Sequence, residues 1–236
     1  MSAIPDHLLV FLLLVVAPAW GARAYRALVR EIREGNPAAR LREYKSTVVL
    51  EWGLSLILLA WWRVAGRSPA ALGLDLPPGY RTIAGVVLTA LGLAFLAQQW
   101  RAMTRLKGER LDALRAQAAS VSDMLPRTDV EHRWFQVLSI TAGICEELIF
   151  RGFLVWYLGQ WMPLWLAAVV AAVAFGLAHF YQGGMGVVKT GVTGLIMGAL
   201  FVATGSLLWP MILHAAVDLQ GGAAAKLLLV EEARGA

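Results

Sequence analysis

The chain has 236 residues, 58% of them hydrophobic and only 16% charged, whereas a soluble domain of this length is about half apolar and a quarter charged. With a mean hydropathy of +0.62 and ten tryptophans, these values exclude an ordinary soluble enzyme and indicate an integral membrane protein. The net charge of +5 does not imply nucleic acid as a partner. The basic residues cluster between apolar segments, as positive charge does on cytoplasmic loops.

Residues 8–20 form an apolar run, and Ala17-Pro18-Ala19 resembles a small-residue cleavage site. Residues 1–7 contain no Lys or Arg, however, whereas Arg23, Arg26, Arg30, Arg33, Arg40, Arg42 and Lys45 follow. A signal peptide needs the opposite asymmetry, so the run reads as an uncleaved span whose N-terminus lies outside. Hydropathy places spans at about 5–28, 47–63, 81–100, 134–157, 162–181, 184–204 and 207–228, each near the 20 or so residues that cross the hydrocarbon. A second basic group (Arg101, Arg105, Lys107, Arg110, Arg115, Arg127 and Arg133) lies between the third and fourth spans, while the opposite loops hold only Arg63, Arg67 and Arg81. The expected architecture is all-α: a polytopic transmembrane helical bundle of about seven spans, N-terminus out and C-terminus in.

Several features along the chain read as structural. Trp61, Trp62, Trp100, Trp134, Trp156, Trp161 and Trp209 fall near span ends, as interfacial anchors do. Residues 66–80 make a turn-rich connection. Leu106, Leu111 and Leu114 among basic residues predict a surface helix within 103–119. Gly191, Gly194 and Gly198 are spaced for close helix packing. Cys145, the single cysteine, excludes an intramolecular disulfide and reads as packing. Glu51 and Arg63 read as snorkelling side chains near the ends of the second span, and Lys189 likewise.

The chemistry concentrates in three spans. Glu146 and Glu147 lie in mid-helix, followed by Arg151, and such groups cost several kcal/mol in hydrocarbon unless they face a polar cavity or one another. Glu147 and Arg151, four apart, share a face and pair, which turns Glu146 away toward a cavity. Phe175 and His179 are four apart on the next span, and His214 and Asp218 on the last. At 1.5 Å per residue, Glu146 stands about 20 Å and His214 about 18 Å from the cytoplasmic side. Counted from Trp161, His179 falls close to that side instead, and a tilted helix with a funnel-shaped cavity reconciles it. A buried carboxylate beside an imidazole activates water as a general base, with His179 holding the same water and His214 donating to an oxyanion. No serine sits in a nucleophile elbow, and there is no His-Glu-x-x-His helix. Taken singly, each histidine also reads as a helix–helix hydrogen-bond partner, and Arg151 as a structural counter-ion.

The ordered set Glu146-Glu147-x-x-x-Arg151, Phe175-x-x-x-His179 and His214-x-x-x-Asp218, with Phe150-Arg151-Gly152, resembles the CAAX protease and bacteriocin-processing (Abi) family of intramembrane proteases over about 134–225. The resemblance implies an endopeptidase related to the type II enzymes that remove the last three residues of prenylated CAAX proteins. Its substrate would be a membrane-associated protein or lipidated peptide in the bilayer, and its location the plasma (inner) membrane of a bacterium. It implies Glu146 and His179 as the water-activating pair, and His214 and Asp218 as the oxyanion-stabilising one. The family often has Asn where Asp218 stands. Glu146, His179, His214 and Asp218 are equally a zinc ligand set or a metal-free site. Relatives that confer bacteriocin immunity or act as scaffolds keep a non-catalytic reading open. A proton-coupled transporter would carry similar carboxylates, but the paired repeats of that class are not visible. The expected organisation is a three-span region with its long loop (1–130), a four-span core (131–228) and a short cytoplasmic tail (229–236).

Overall fold

In a computed structural model, residues 3–230 are described, and among them there are helices and no strands. Residues 231–236 of the expected tail lie outside this range. Seven helical rods occupy the positions of the seven expected spans. α1 runs through Ile4–Arg33 with a widened π turn at Leu12–Val16. α2 is Ala39–Val64 and α3 is Tyr80–Met103. A surface helix, α4, covers Glu109–Ala118, shorter than expected because the chain turns at Gly108, which has positive φ. α5 is Asp129–Glu147, continued by a π-helical stretch Leu148–Leu154 and a last turn Val155–Leu158. α6 is Leu164–Ala178, α7 Gly184–Thr204 and α8 Leu208–Val230.

Of these, α1, α2, α3 and α7 are long and apolar enough to cross a membrane. α5, α6 with its C-terminal neighbour His179, and α8 carry the polar constellation. Large apolar side chains are widely exposed, among them Ile83, Val86, Leu91 and Phe95 along α3 and Val188, Val192 and Ile196 along α7. Helices that satisfy their own backbone and present such faces outward suit hydrocarbon, not water. The protein is a multi-pass integral membrane protein.

Local rules start α5 sharply. Thr128 accepts from the Glu131 amide while the Glu131 carboxylate accepts from the Thr128 and Arg127 amides, a capping box that satisfies otherwise orphaned donors. Small residues then set how closely the rods approach. A Cβ added to Gly143 would stand 2.8 Å from the Ala215 nitrogen on α8, and one on Gly176 2.8 Å from the Val187 carbonyl on α7. The expected glycine face does pack: Gly191 lies on Gly176, Gly194 on Phe175 and Ala172, and Gly198 on Ala168. Gly143→Ala is therefore expected to separate α5 from α8 and lower stability by about 1–3 kcal/mol, the usual cost of overpacking. Thermal unfolding in detergent measures it.

The tryptophan belt is only partly an interfacial one. Trp62 and Trp209 are 3% and 8% exposed, and Trp62 packs edge-on against Trp156. Both stand near span ends, but protein rather than headgroups covers them. Arg67, read from sequence as a loop charge, also turns inward. Its guanidinium lies 4.4 Å from the Trp156 ring centre and donates to both oxygens of buried Asp6, at 2.7 and 2.6 Å. Trp61 and the Ala3 amide donate to the same carboxylate. This pair ties the start of α1 to the α2–α3 connection.

Candidate active site

The helix carrying the adjacent glutamates changes its winding at them. The α-helical turns end at Glu147 and π-helical winding begins at Leu148. A π turn inserts a residue and re-aims the side chains around it, a device frequent at functional sites. Nothing in the hydropathy pattern marks it.

Glu147, Arg151 and His214 form one buried network, 0%, 1% and 5% exposed. Arg151 Nη1 donates to Glu147 Oε1 at 2.7 Å, confirming the pair expected from spacing. Arg151 Nη2 donates to the Gly194 carbonyl at 3.0 Å, and the guanidinium lies 4.4 Å from the Phe175 ring centre. His214 Nδ1 lies 2.7 Å from the same Glu147 oxygen. An ionised carboxylate only accepts, so Nδ1 carries the proton and donates. Glu147 is thus more than a counter-ion to Arg151: it links α5 to the histidine of α8, a bond between helices that one-helix spacing could not reveal.

Glu146 faces the other way and meets both histidines. Its carboxylate oxygens lie 3.9 Å from His179 Nε2 and 3.7 Å from His214 Nε2, and Asp218 Oδ2 lies 3.7 Å from His214 Nε2. These gaps exceed direct hydrogen bonds and suit a shared water. His179 Nδ1 lies 2.8 Å from the Phe175 carbonyl, which can only accept. Nδ1 is therefore a protonated nitrogen, and in the neutral form of the ring Nε2 presents its lone pair toward Glu146. The Phe175 ring packs edge-on against both imidazoles, at 4.7 and 5.9 Å, and holds them apart.

The short α6 eases the depth difficulty with His179. α6 has 15 residues, about 22 Å of helix against about 30 Å of hydrocarbon, and His179 caps its end. The chain then turns through Phe180–Gln182, and Tyr181 packs on the His179 ring at 5.7 Å and on Tyr25 of α1 at 5.3 Å.

The expected sites Glu146, Glu147, Arg151, Phe175, His179, His214 and Asp218 are thus brought together. Glu51 joins them and was misread. It interacts electrostatically with Glu146 and Asp218, and its Oε2 is buried, so it does not snorkel. The predicted span starting at 47 put it at an interface, but α2 begins at Ala39. Cys145 is fully buried beside this group, as expected of a packing residue.

Glu146, His179, His214 and Asp218 are donors of the right kind for zinc, and their gaps of 3.9, 3.7 and 3.7 Å stand a few tenths beyond the roughly 3.5 Å between ligands on zinc bonds of about 2.0–2.2 Å. As they stand, no three of His, Cys, Asp and Glu among the described residues are grouped to hold a metal ion.

Fold and site together define a polytopic helical membrane protein with an ionisable site between its helices. Residues 131–220, which include all seven expected site residues, match the family described as type II CAAX prenyl endopeptidase Rce1-like, and this confirms the resemblance carried by the three motifs. The chain is also similar to human CAAX prenyl protease 2, with 26% identity over 215 residues, covering 81% of the chain and 64% of the human protein. It therefore spans somewhat less than two thirds of that relative's length. No solved structure matches.

Proposed function

We propose that the protein is an intramembrane endopeptidase of the CAAX prenyl protease type, acting on a lipidated, membrane-associated protein. The observation that carries this reading is Glu146 set 3.9 and 3.7 Å from imidazole nitrogens on two other helices, within the segment that matches the family. A water between Glu146 and the bare His179 Nε2 meets two acceptors and no donor, so both of its hydrogens are engaged and its lone pair points at the substrate. Glu146 takes one proton as oxygen adds to the scissile carbonyl carbon. The oxyanion forms toward His214, which donates from Nε2 as the imidazolium while Glu147 holds its other N–H. When the C–N bond breaks, Glu146 returns the proton to the leaving amine. These steps use side chains alone.

The test incubates membranes containing the protein with a farnesylated peptide ending in a CAAX sequence and measures the released C-terminal tripeptide by mass spectrometry. Release that depends on Glu146 supports the reading. Binding of the peptide without release would favour the immunity or scaffold alternative. Asp218 has a separate test. Asp218→Asn retains an acceptor beside His214 and adds a donor, so its effect should fall well short of the roughly 10²–10³-fold loss that follows removal of an oxyanion donor. Stoichiometric zinc in active protein, lost with activity in this variant, would instead establish Asp218 as a metal ligand.

A further inference from the structure

Beside the site, Glu51 carries a buried oxygen, Oε2, that this mechanism leaves unused. Its position on α2 is fixed by the residues that follow it. One residue on, Trp52 Nε1 donates to Thr141 Oγ1 of α5 at 3.2 Å. One turn on, Ser55 is 1% exposed and meets the Cys145 thiol. The face of α2 carrying Glu51 thus lies on α5 at the level of Cys145 and Glu146. From there Glu51 interacts electrostatically with Glu146, Asp218, Cys145 and Tyr181. Among the described residues no arginine or lysine pairs with it: Arg151, a buried cation of the site, is engaged by Glu147 and Gly194. Its Oε2 is buried and makes no hydrogen bond.

A buried polar oxygen without a partner lowers stability, and an apolar residue would pack there without that penalty. Glu147 also has one free oxygen, but its other oxygen holds Arg151 and His214, which accounts for the residue. For Glu51, no bond among the described residues does. A peptide entering the site brings new donors, its backbone N–H groups.

Charge decides which part of the substrate Glu51 meets. An acceptor oxygen opposes an oxyanion, and that side of the scissile bond belongs to the histidines. The amine leaving the other side gains positive charge as it takes its proton, and lone pairs placed there favour it. We propose that Glu51 is a further catalytic residue, whose free oxygen accepts a hydrogen bond from the leaving-group N–H of the substrate. The inference rests on the endopeptidase reading and assigns a fourth helix, α2, outside the matched segment, to its site.

The experiment compares Glu51→Leu and Glu51→Gln with the unmodified protein and with Glu146→Gln. It measures kcat and KM for the farnesylated CAAX peptide and the thermal midpoint of the full chain in detergent. For Glu51→Leu the expected result is a fall in kcat of about 10²-fold, the scale of one transition-state hydrogen bond, with KM little changed and the midpoint equal or higher. Glu51→Gln, which keeps a weaker acceptor, should fall between the two. A residue that only supports the fold gives the opposite pattern: a lowered midpoint with kcat per folded molecule unchanged. Either an unchanged kcat or a lowered midpoint in both variants overturns the assignment. If the unmodified protein releases no tripeptide, the endopeptidase reading itself falls, and the assignment with it. If Glu146→Gln is inactive while both Glu51 variants are fully active, only the assignment falls.

Discussion

Glu146→Gln is expected to reduce cleavage by at least about 10³-fold while leaving folded protein at its normal level. The amide cannot take a proton from water at any accessible pH, so the general-base contribution, itself about 10²–10⁴-fold, is lost, and with it the proton that the leaving amine needs. Folding should not suffer. Glu146 makes no direct hydrogen bond in the network that joins the helices, and its contacts with the histidines are 3.7 and 3.9 Å long. Gln has the same shape and removes a charge whose partner at 3.7 Å, His214, is held on its other nitrogen by Glu147. Single-turnover cleavage of the farnesylated peptide, normalised to folded protein by size-exclusion chromatography, provides the measurement. Residual activity within tenfold of the unmodified protein would show that another group activates the water, and His179 would be the next to examine.

What the sequence reveals of this protein follows from the range of the forces involved. Span positions were legible because apolar stretches of about 20 residues have one economical use, and the seven rods lie where hydropathy put them. The i, i+4 pairs were legible too, since one helix fixes them: Glu147–Arg151, Phe175–His179 and His214–Asp218 all hold. Contacts between helices were not. The bond from His214 to Glu147 and the inward turn of Glu51 depend on how α8 and α2 rotate against α5. That rotation is set by close approaches such as Gly143 on Ala215. Arg67 was misjudged for the same reason, because its partner Asp6 lies 61 positions away. The π winding after Glu147 escaped as well, since the same residues suit either helix.

The second large effect concerns the Glu147–Arg151–His214 network, where folding and chemistry can be separated by combining substitutions. Arg151→Met is expected to cost about 3–5 kcal/mol, because it leaves the Glu147 carboxylate buried without its cation. Glu147→Gln should cost a similar amount by stranding the guanidinium, which is 1% exposed. Both should lower the yield of folded protein after detergent extraction. The double variant Glu147→Met with Arg151→Met removes both charges together, and replacing a buried pair by apolar residues of similar volume is often nearly neutral. Its folded yield should therefore recover toward normal. Its activity should not recover. His214 Nδ1 loses the acceptor that stands 2.7 Å away and fixes the ring, so Nε2 is no longer held toward the oxyanion, and a loss of about 10²-fold should persist. Cleavage per folded molecule, measured beside the thermal midpoint for all three variants, separates the two roles. A double variant both stable and fully active would show that Glu147 serves only as the counter-ion of Arg151. One as unstable as the single variants would show that Arg151 holds the fold chiefly through the Gly194 carbonyl, and that α7 rather than α8 depends on it.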